Sequence, residues 1–413
     1  MEKIDKNTQD INFVVVGAGL SGLILAWRCL SSNPNVSIII IDSNHIIGGD
    51  HTWSFNISDI ESSLHEWIEP FIAHSWEKYD VKFMSFSRRL NIRYCTGNSN
   101  SLRACVEPFI KSGRLKLILD TEVVKLTSSD VTTSSGKVVT GDYIFDARGF
   151  TSDDSIKIGI QKFYGKTIET IDPHNLKYPV IMDATVSQYD GYRFIYCLPF
   201  SKNQILIEDT YYSDGLNFDQ DKYNKRIDEY IEANNWTEHK VIRVEKGVLP
   251  ITLAVDSKLL GKRGVKYNEP IEIGMRGNFY HPVTGYSFPE AVRLASKISR
   301  TINSFDQNKL VNLDLEIRKY KLLLHRRNNF FRLLNRLLFK ASLPSKRHLV
   351  LQRFYTLSEN LIKRFYEGNI HKKDILRILI GKPPVPVLKA LYFFSEAAFV
   401  AREKSQRVKN EKK

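Results

Sequence analysis

Phe13-Val14-Val15-Val16-Gly17-Ala18-Gly19-Leu20-Ser21-Gly22 is the stretch that decides the fold. Four uninterrupted apolar residues read as a strand buried on both faces. They lead straight into a G-x-G-x-x-G turn. Leu20, Leu23, Ile24 and Trp27 then recur at helical spacing, which predicts a helix over 20–31. Val36 to Ile41 is a second buried strand, and Asp42 ends it 20 positions after Gly22. Strand, turn, helix and acid-ended strand form the βαβ context in which this glycine pattern binds a dinucleotide. Gly17 permits the tight turn, Gly19 lets the backbone approach a pyrophosphate, and Gly22 lets the helix pack closely on the strand. The helix N-terminus faces the phosphates, and Asp42 is placed to bond a ribose hydroxyl.

Beyond this unit the pattern changes along the chain. Residues 60–110 carry no clear period. Short strands are predicted over 115–126, and Lys137 to Phe145 reads as one strand ending at Asp146. Tyr192 to Phe200 and Gln204 to Tyr212 alternate as strands around a turn at Ser201–Asn203, which predicts a hairpin. Tyr223 to Asn235 reads as a helix, and another starts near Ser287. From about 306 the pattern is helical until Pro383-Pro384-Val385-Pro386 breaks it before a last helix. There is no internal repeat.

A chain of 413 residues is ample for two or three domains. With 42% hydrophobic and 26% charged residues it has the balance of an ordered globular protein. The four cysteines form no C-x-x-C pair, so no zinc or redox motif is present, and no metal site is expected. Met1 to Asn12 is mostly polar, which argues against a signal peptide. No run reaches about 18 uncharged apolar residues, so no spanning helix is expected. Pro383 to Val400 is interrupted by Lys389 and Glu396. The expected location is therefore cytoplasmic, with peripheral membrane contact. Charge is uneven: residues 301–413 hold 25 Lys and Arg against nine Asp and Glu, more than the whole-chain excess of +14. Such a region suits a membrane surface or nucleic acid. Its basic residues are interleaved with bulky apolar ones, which favours an anionic membrane and no nucleic acid.

Gly48-Gly49 follows Asp42, a later strand ends in Asp146-Ala147-Arg148-Gly149, and a third glycine-rich segment covers 274–287. This arrangement resembles the two-domain FAD enzymes of the hydroxybenzoate-hydroxylase type. The resemblance implies an α/β fold: a Rossmann-type FAD-binding domain, a β-sheet substrate domain and a C-terminal helical region. The implied FAD domain is 1–80, 110–150 and 271–305, the substrate domain 81–109 and 151–270, and the helical docking region 306–413. It places Asp146 near the flavin chain and the late segment against the flavin. Ala147 stands where such enzymes often carry glycine, so its φ must be negative.

Several rarer runs resemble the bacterial lycopene β-cyclase family. They are Gly48-Gly49-Asp50-His51-Thr52-Trp53-Ser54-Phe55, Ile181-Met182-Asp183-Ala184-Thr185-Val186, Gly191-Tyr192-Arg193-Phe194 and Leu206-Ile207-Glu208-Asp209-Thr210. Further on come Leu249-Pro250-Ile251-Thr252-Leu253, His281-Pro282-Val283-Thr284-Gly285-Tyr286-Ser287, Phe330-Phe331-Arg332-Leu333-Leu334-Asn335-Arg336 and Gly381-Lys382-Pro383-Pro384-Val385-Pro386. They follow the family order across nearly the whole chain. Asp50, where relatives usually carry Asn, and the extended basic tail depart from it. The family closes the ends of lycopene into β-ionone rings, through monocyclic γ-carotene to β-carotene, with reduced FAD and no net redox change. NAD(P)H or a reductase partner would supply the reducing electrons.

The resemblance makes Glu208 the catalytic acid/base, and the adjacent Asp209 is a second catalytic-site candidate, in a supporting or a surface role. It puts Gly49, His51 and Trp53 near the flavin ring, and His281, Gly285 and Tyr286 in the flavin-facing loop. A carboxyl in an apolar pocket keeps its proton, and an anionic flavin would both strengthen that and stabilise a cation. Alternation puts Leu206, Glu208 and Thr210 on one strand face and Ile207 and Asp209 on the other. Tyr192 and Phe194 read as cation-stabilising rings or as core. Phe330, Leu334, Leu337 and Leu338 form a helical stripe, with Arg332, Asn335 and Arg336 turned outward to lipid headgroups. Two other readings share the fold: a redox flavoenzyme (a monooxygenase or isoprenoid reductase), and a non-catalytic carotenoid binder.

Overall fold

A computed structural model describes residues 10–151, 155–189, 191–215, 217–256, 269–304, 313–380 and 385–411. The glycine turn joins strand Ile11–Val16 to helix Leu20–Ser32, and strand Val36–Ile41 follows. These strands sit in a five-stranded parallel sheet. Its order is Ile271–Glu272, Tyr143–Asp146, Ile11–Val16, Val36–Ile41 and Leu115–Ile118. The apolar run is buried on both faces, as expected for a parallel interior strand. Phe13 and Val15 pack with helices Leu20–Ser32 and Phe288–Asn303. Val14 and Val16 pack with a small antiparallel meander at Val123–Leu126, Asp130–Thr133 and Val138–Thr140.

The second body is a seven-stranded sheet. Its order is His239–Val255, Ile156–Thr170, Gln204–Ser213, Tyr192–Pro199, Val180–Ala184, Tyr79–Phe83 and Phe86–Leu90. The hairpin forms as expected, Tyr192–Pro199 against Gln204–Ser213. Its two faces are covered differently. Ile205, Ile207 and Tyr211 pack under helix Gln220–Ala233. Leu206, Tyr212, Tyr192 and Phe194 face Phe331, Tyr355, Phe365 and Tyr366 of the C-terminal helices.

Three expectations change. The strand expected over Lys137 to Phe145 is two strands in different sheets, because the chain turns at Gly141 and Asp142. Of the segment expected in the substrate domain at 81–109, only the part to Leu90 joins the large sheet. Strand Tyr94–Asn98 pairs with Thr52–Asn56, and helix Ser99–Lys111 buries Leu102, Cys105 and Val106 against the nucleotide-type core.

The third change concerns helix Asn329–Arg336. Its polar face points inward: Arg332 is 3% and Arg336 1% exposed, and Asn335 is fully buried. Arg332 binds Glu396 at 2.7 Å, and Arg336 donates to the carbonyls of Leu253, Phe393 and Phe394. Asn335 donates to Thr252 O and Pro282 O. Helical periodicity marks two faces but does not say which one meets the core. Here buried carbonyls needed donors, so the arginines went inside. Part of the proline-rich break at 383–386 lies outside the described residues. No helix among the described residues is long and apolar enough to cross a membrane.

Candidate active site

The glycine turn is closed by its neighbours. Gly17 has φ +111°, and a Cβ there would lie 2.7 Å from Ala147 O. A Cβ on Gly22 would lie 2.2 Å from Gly17 O. Gly19, by contrast, faces open space. The Asp42 carboxylate accepts from Ala18 N at 2.6 Å and from Asn44 N at 2.8 Å, so it sits beside the turn. Gly48 N donates to Ala18 O, which ties the Gly48–Gly49 loop to the same place. Ala147 has no positive φ, so alanine is accommodated there.

Asp146 accepts from Arg148 Nη2 at 2.8 Å and from Arg276 Nε at 3.1 Å. Burial opposes its ionisation, but Arg148, aided by Arg276, outweighs burial and holds the carboxyl below its ordinary range. A cleft of about 740 Å³ runs beside Asp146, Arg148, Gly277 and Asn278. There Asn278 Oδ1 is buried without a hydrogen-bond partner among the described residues. The open cradle at Gly19 and this orphaned acceptor fit a bound polar group such as a dinucleotide.

Glu208 stands on the other body, facing this one. It pairs across the sheet with Gly165 on one side and Tyr196 on the other, and Gly165 pairs in turn with Glu245. Directly paired residues share a face. Glu245, Gly165, Glu208 and Tyr196 therefore form one row. A Cβ on Gly165 would lie 3.3 Å from Glu208 Cβ, so glycine leaves the space between the carboxyls clear.

Strand Thr52–Asn56 lies over the row. Thr52 Oγ1 donates to Glu245 Oε2 at 3.0 Å, and Tyr196 Oη donates to Ser54 Oγ at 2.7 Å. This strand leaves the Gly48–Gly49 loop, so it joins the glycine turn to Glu208. Arg243 completes the row with 2.7 Å to Glu245 and 3.1 Å to Asp50.

Burial raises Glu208 well above the ordinary carboxylate range, and repulsion from Glu245 adds to it. Thr210 Oγ1, donating to Oε1 at 2.6 Å, opposes the rise without cancelling it. Glu245 is raised by burial and partly restrained by Arg243. Tyr94 Oη lies 3.0 Å from Tyr196 Oη and 2.8 Å from Tyr286 Oη. Burial pushes all three phenols well above their ordinary range, so they remain neutral.

Asp209 lies on the opposite face, as alternation predicts. It is fully buried against Arg193 at 2.8 Å. It is thus separated from Glu208 by the sheet. His281 is also removed from open space. Its Nε2 bonds Phe365 O at 3.0 Å, and its Nδ1 accepts from Val283 N and Thr284 N at 3.3 Å. Burial pushes its pKa down to about 3, so the neutral ring shapes the Gly285–Tyr286 loop. Gly285, at φ +70°, turns that loop and donates to His281 O. Gly49 abuts the His51 ring, and His51 lies 5.8 Å from the Trp53 ring. Tyr192 and Phe194 are buried together on the Glu208 face, centroids 5.1 Å apart.

The sequence reading did not single out Gly165, Tyr196, Arg243, Glu245 or Tyr94. Arg243 and Glu245 do sit two apart in a β-rich stretch, which places both on one face. Nothing local says that this face meets Glu208.

The two bodies together define a class. The fold is that of FAD-dependent hydroxylases and reductases. It resembles a geranylgeranyl bacteriochlorophyll reductase-like protein from Thermoplasma acidophilum (TM-score 0.58, 14% identity, 94% of this chain and 100% of that one). It also resembles p-nitrophenol 4-monooxygenase from Pseudomonas putida (TM-score 0.58, 11% identity, 88% and 100%). A third likeness is Klebsiella pneumoniae HpxO, solved in complex with FAD (TM-score 0.54, 13% identity, 91% and 100%).

Within that class, the family described as lycopene cyclase protein matches residues 12–392. The lycopene β-cyclase of Pantoea ananas is 37% identical over 92% of this chain and 97% of its own length. That of Pseudescherichia vulneris is 36% identical over 92% and 96%. The chain belongs to the lycopene cyclase family.

Proposed function

We propose that this protein cyclises the ends of lycopene to β-ionone rings by proton transfer, with Glu208 as acid and base. The observation that carries the reading is the row of Glu245, Gly165, Glu208 and Tyr196 on an aromatic-lined sheet face, where burial and the neighbouring Glu245 favour the protonated form of Glu208. Gly17, Gly19 and Gly22 would hold the pyrophosphate of FAD and Asp42 its ribose. Asp146 would support the flavin chain, while Gly49, His51, Gly285 and Tyr286 would border the ring. Bound in reduced form, FAD would supply negative charge that favours a nearby cation.

Glu208 gives its proton to the terminal C=C of the substrate. The resulting cation is attacked by the next double bond, closing the ring. A proton then leaves the ring carbon next to the chain. That carbon and the protonated one are both bonded to the same quaternary carbon, so the Glu208 carboxylate can recover the proton. One proton is given and one returned, and substrate and product are isomers. Neutral Tyr94, Tyr196 and Tyr286 present ring faces and no competing charge. NAD(P)H or a reductase partner would keep FAD reduced, and the substrate would arrive from an anionic membrane surface to a peripherally bound enzyme.

The test is anaerobic incubation of the purified protein with lycopene and pre-reduced FAD, followed by pigment analysis. Cyclic product over many turnovers without NADPH is expected. NADPH consumed in proportion to product would favour a redox flavoenzyme, and unchanged pigment would remove the reading. Glu208→Gln should retain flavin and lose about 10²–10⁴-fold in rate, the usual worth of a general acid.

A further inference from the structure

With Arg332 and Arg336 buried, the lipid contact expected of the C-terminal region must lie elsewhere. Short helices Lys372–Leu379 and Val387–Tyr392 present a dense exposed apolar run. Leu376, Ile380, Val387, Leu388, Leu391 and Phe394 are all more than half exposed, with Leu388 at 83% and Leu391 at 66%. Isolated exposed apolar residues are ordinary, but a run this dense marks an interaction surface.

The charge around the run identifies the partner. Lys372, Lys373, Arg377 and Lys389 are exposed among these apolar residues. The single acid between 370 and 395 is Asp374, and it is buried against Arg364 at 2.6 Å. Glu396, the next acid, is held inside by Arg332. The patch therefore presents apolar side chains with a cationic fringe and no exposed carboxylate. That suits an anionic lipid surface better than a second copy, whose identical patch would oppose cation to cation.

The patch also opens inward. Leu379, Val387, Leu391 and Phe394 line an apolar cavity of about 320 Å³. Its other walls include Tyr192, Tyr212, Val283 and Thr284. Tyr212 shares the strand face of Glu208, four residues on, about 13 Å along a strand. Val283 and Thr284 precede Gly285 in the loop shaped by His281.

We propose that the apolar surface of helices Lys372–Leu379 and Val387–Tyr392 seats in the headgroup region of an anionic bilayer, with the cavity lined by Leu379, Val387, Leu391 and Phe394 on the lipid side. An apolar substrate can then enter that cavity from the acyl region, on the strand face that carries both Tyr212 and Glu208. The lipid contact stands independently of the cyclase reading, and only the identity of the passenger rests on it.

The experiment is co-sedimentation of the full chain with phosphatidylcholine vesicles, with and without phosphatidylglycerol. Wild type should bind the anionic vesicles, less so at high salt. Leu388→Glu with Leu391→Glu should weaken binding roughly tenfold or more, as removal of inserted apolar area and added negative charge both oppose it. Lys373→Glu with Lys389→Glu should remove the preference for anionic lipid. Leu323→Glu, at an exposed apolar position on another helix, should change nothing. Activity of the leucine variant should fall on vesicle-borne lycopene and persist on detergent-dispersed lycopene. Binding unchanged in the leucine variant, or lost only in Leu323→Glu, overturns the proposal. So does a wild-type dimer that the leucine variant converts to monomer. If wild type binds vesicles yet produces no cyclic pigment, the cyclase reading fails and the docking surface stands.

Discussion

Adjacent carboxylates can hold opposite jobs when a strand separates them. Among the described residues Glu208 has no cationic partner in hydrogen-bond contact, while Asp209 is paired with buried Arg193. Asp209→Asn should therefore act on stability: a buried pair broken on one side costs about 3–5 kcal/mol. A fall in melting temperature, with the pH profile of the remaining activity unmoved, is the expected result. Glu245→Gln should do the reverse. In the proposed mechanism the active form of Glu208 is protonated, so rate is expected to fall as pH rises through its elevated pKa. Removing the Glu245 charge takes away part of that elevation, and the basic limb of the profile should move to lower pH. An unmoved limb would show that Glu245 does not act on Glu208. Alternation made the separation of Glu208 from Asp209 readable in the sequence. Glu245 was not readable, because it is distant from Glu208 in sequence and joins it only through a third strand, at Gly165.

At the scale of elements, the strand, turn and helix at Ile11–Ser32 follow directly from local pattern. The turn is tight for a stated reason, since Gly22 leaves no room for a Cβ against Gly17 O. Gly22→Ala should push the helix off the strand. Overpacking of this kind costs about 1–3 kcal/mol. Flavin content per chain on purification should drop together with melting temperature, and full flavin content would contradict the assigned turn. Helix Asn329–Arg336 shows the limit of the same reasoning. Its stripe was legible, but its direction was set by the carbonyls of Leu253, Phe393 and Phe394.

For the molecule as a whole, the C-terminal helices are structural cover for the large sheet, whatever their proposed docking role. Phe331, Tyr355, Phe365 and Phe399 share one core with the sheet face of Glu208. Glu396 joins the start of the last helix to Arg332 and to Val255 N at 2.7 Å. Glu396→Ala would leave buried Arg332 and Arg336 without a counter-charge. A loss of about 3–5 kcal/mol in denaturant unfolding is expected. A change below 1 kcal/mol would mean that water reaches these arginines.

What the sequence alone determined is whatever depends on near neighbours. The glycine turn, the buried parallel strands, the hairpin and the two faces of Gln204–Ser213 all rest on periods of two or 3.6 residues and on backbone sterics. Only tertiary structure decided which faces meet. Pairing brought Glu245 and Tyr196 into the row of Glu208, although neither is near it in sequence. Glu396 and the carbonyls of Leu253, Phe393 and Phe394 hold Arg332 and Arg336 inside, and Leu388 and its neighbours stay exposed. Amphipathic pattern is symmetric between core and membrane, because both are apolar, and the surrounding hydrogen-bond demand broke that symmetry.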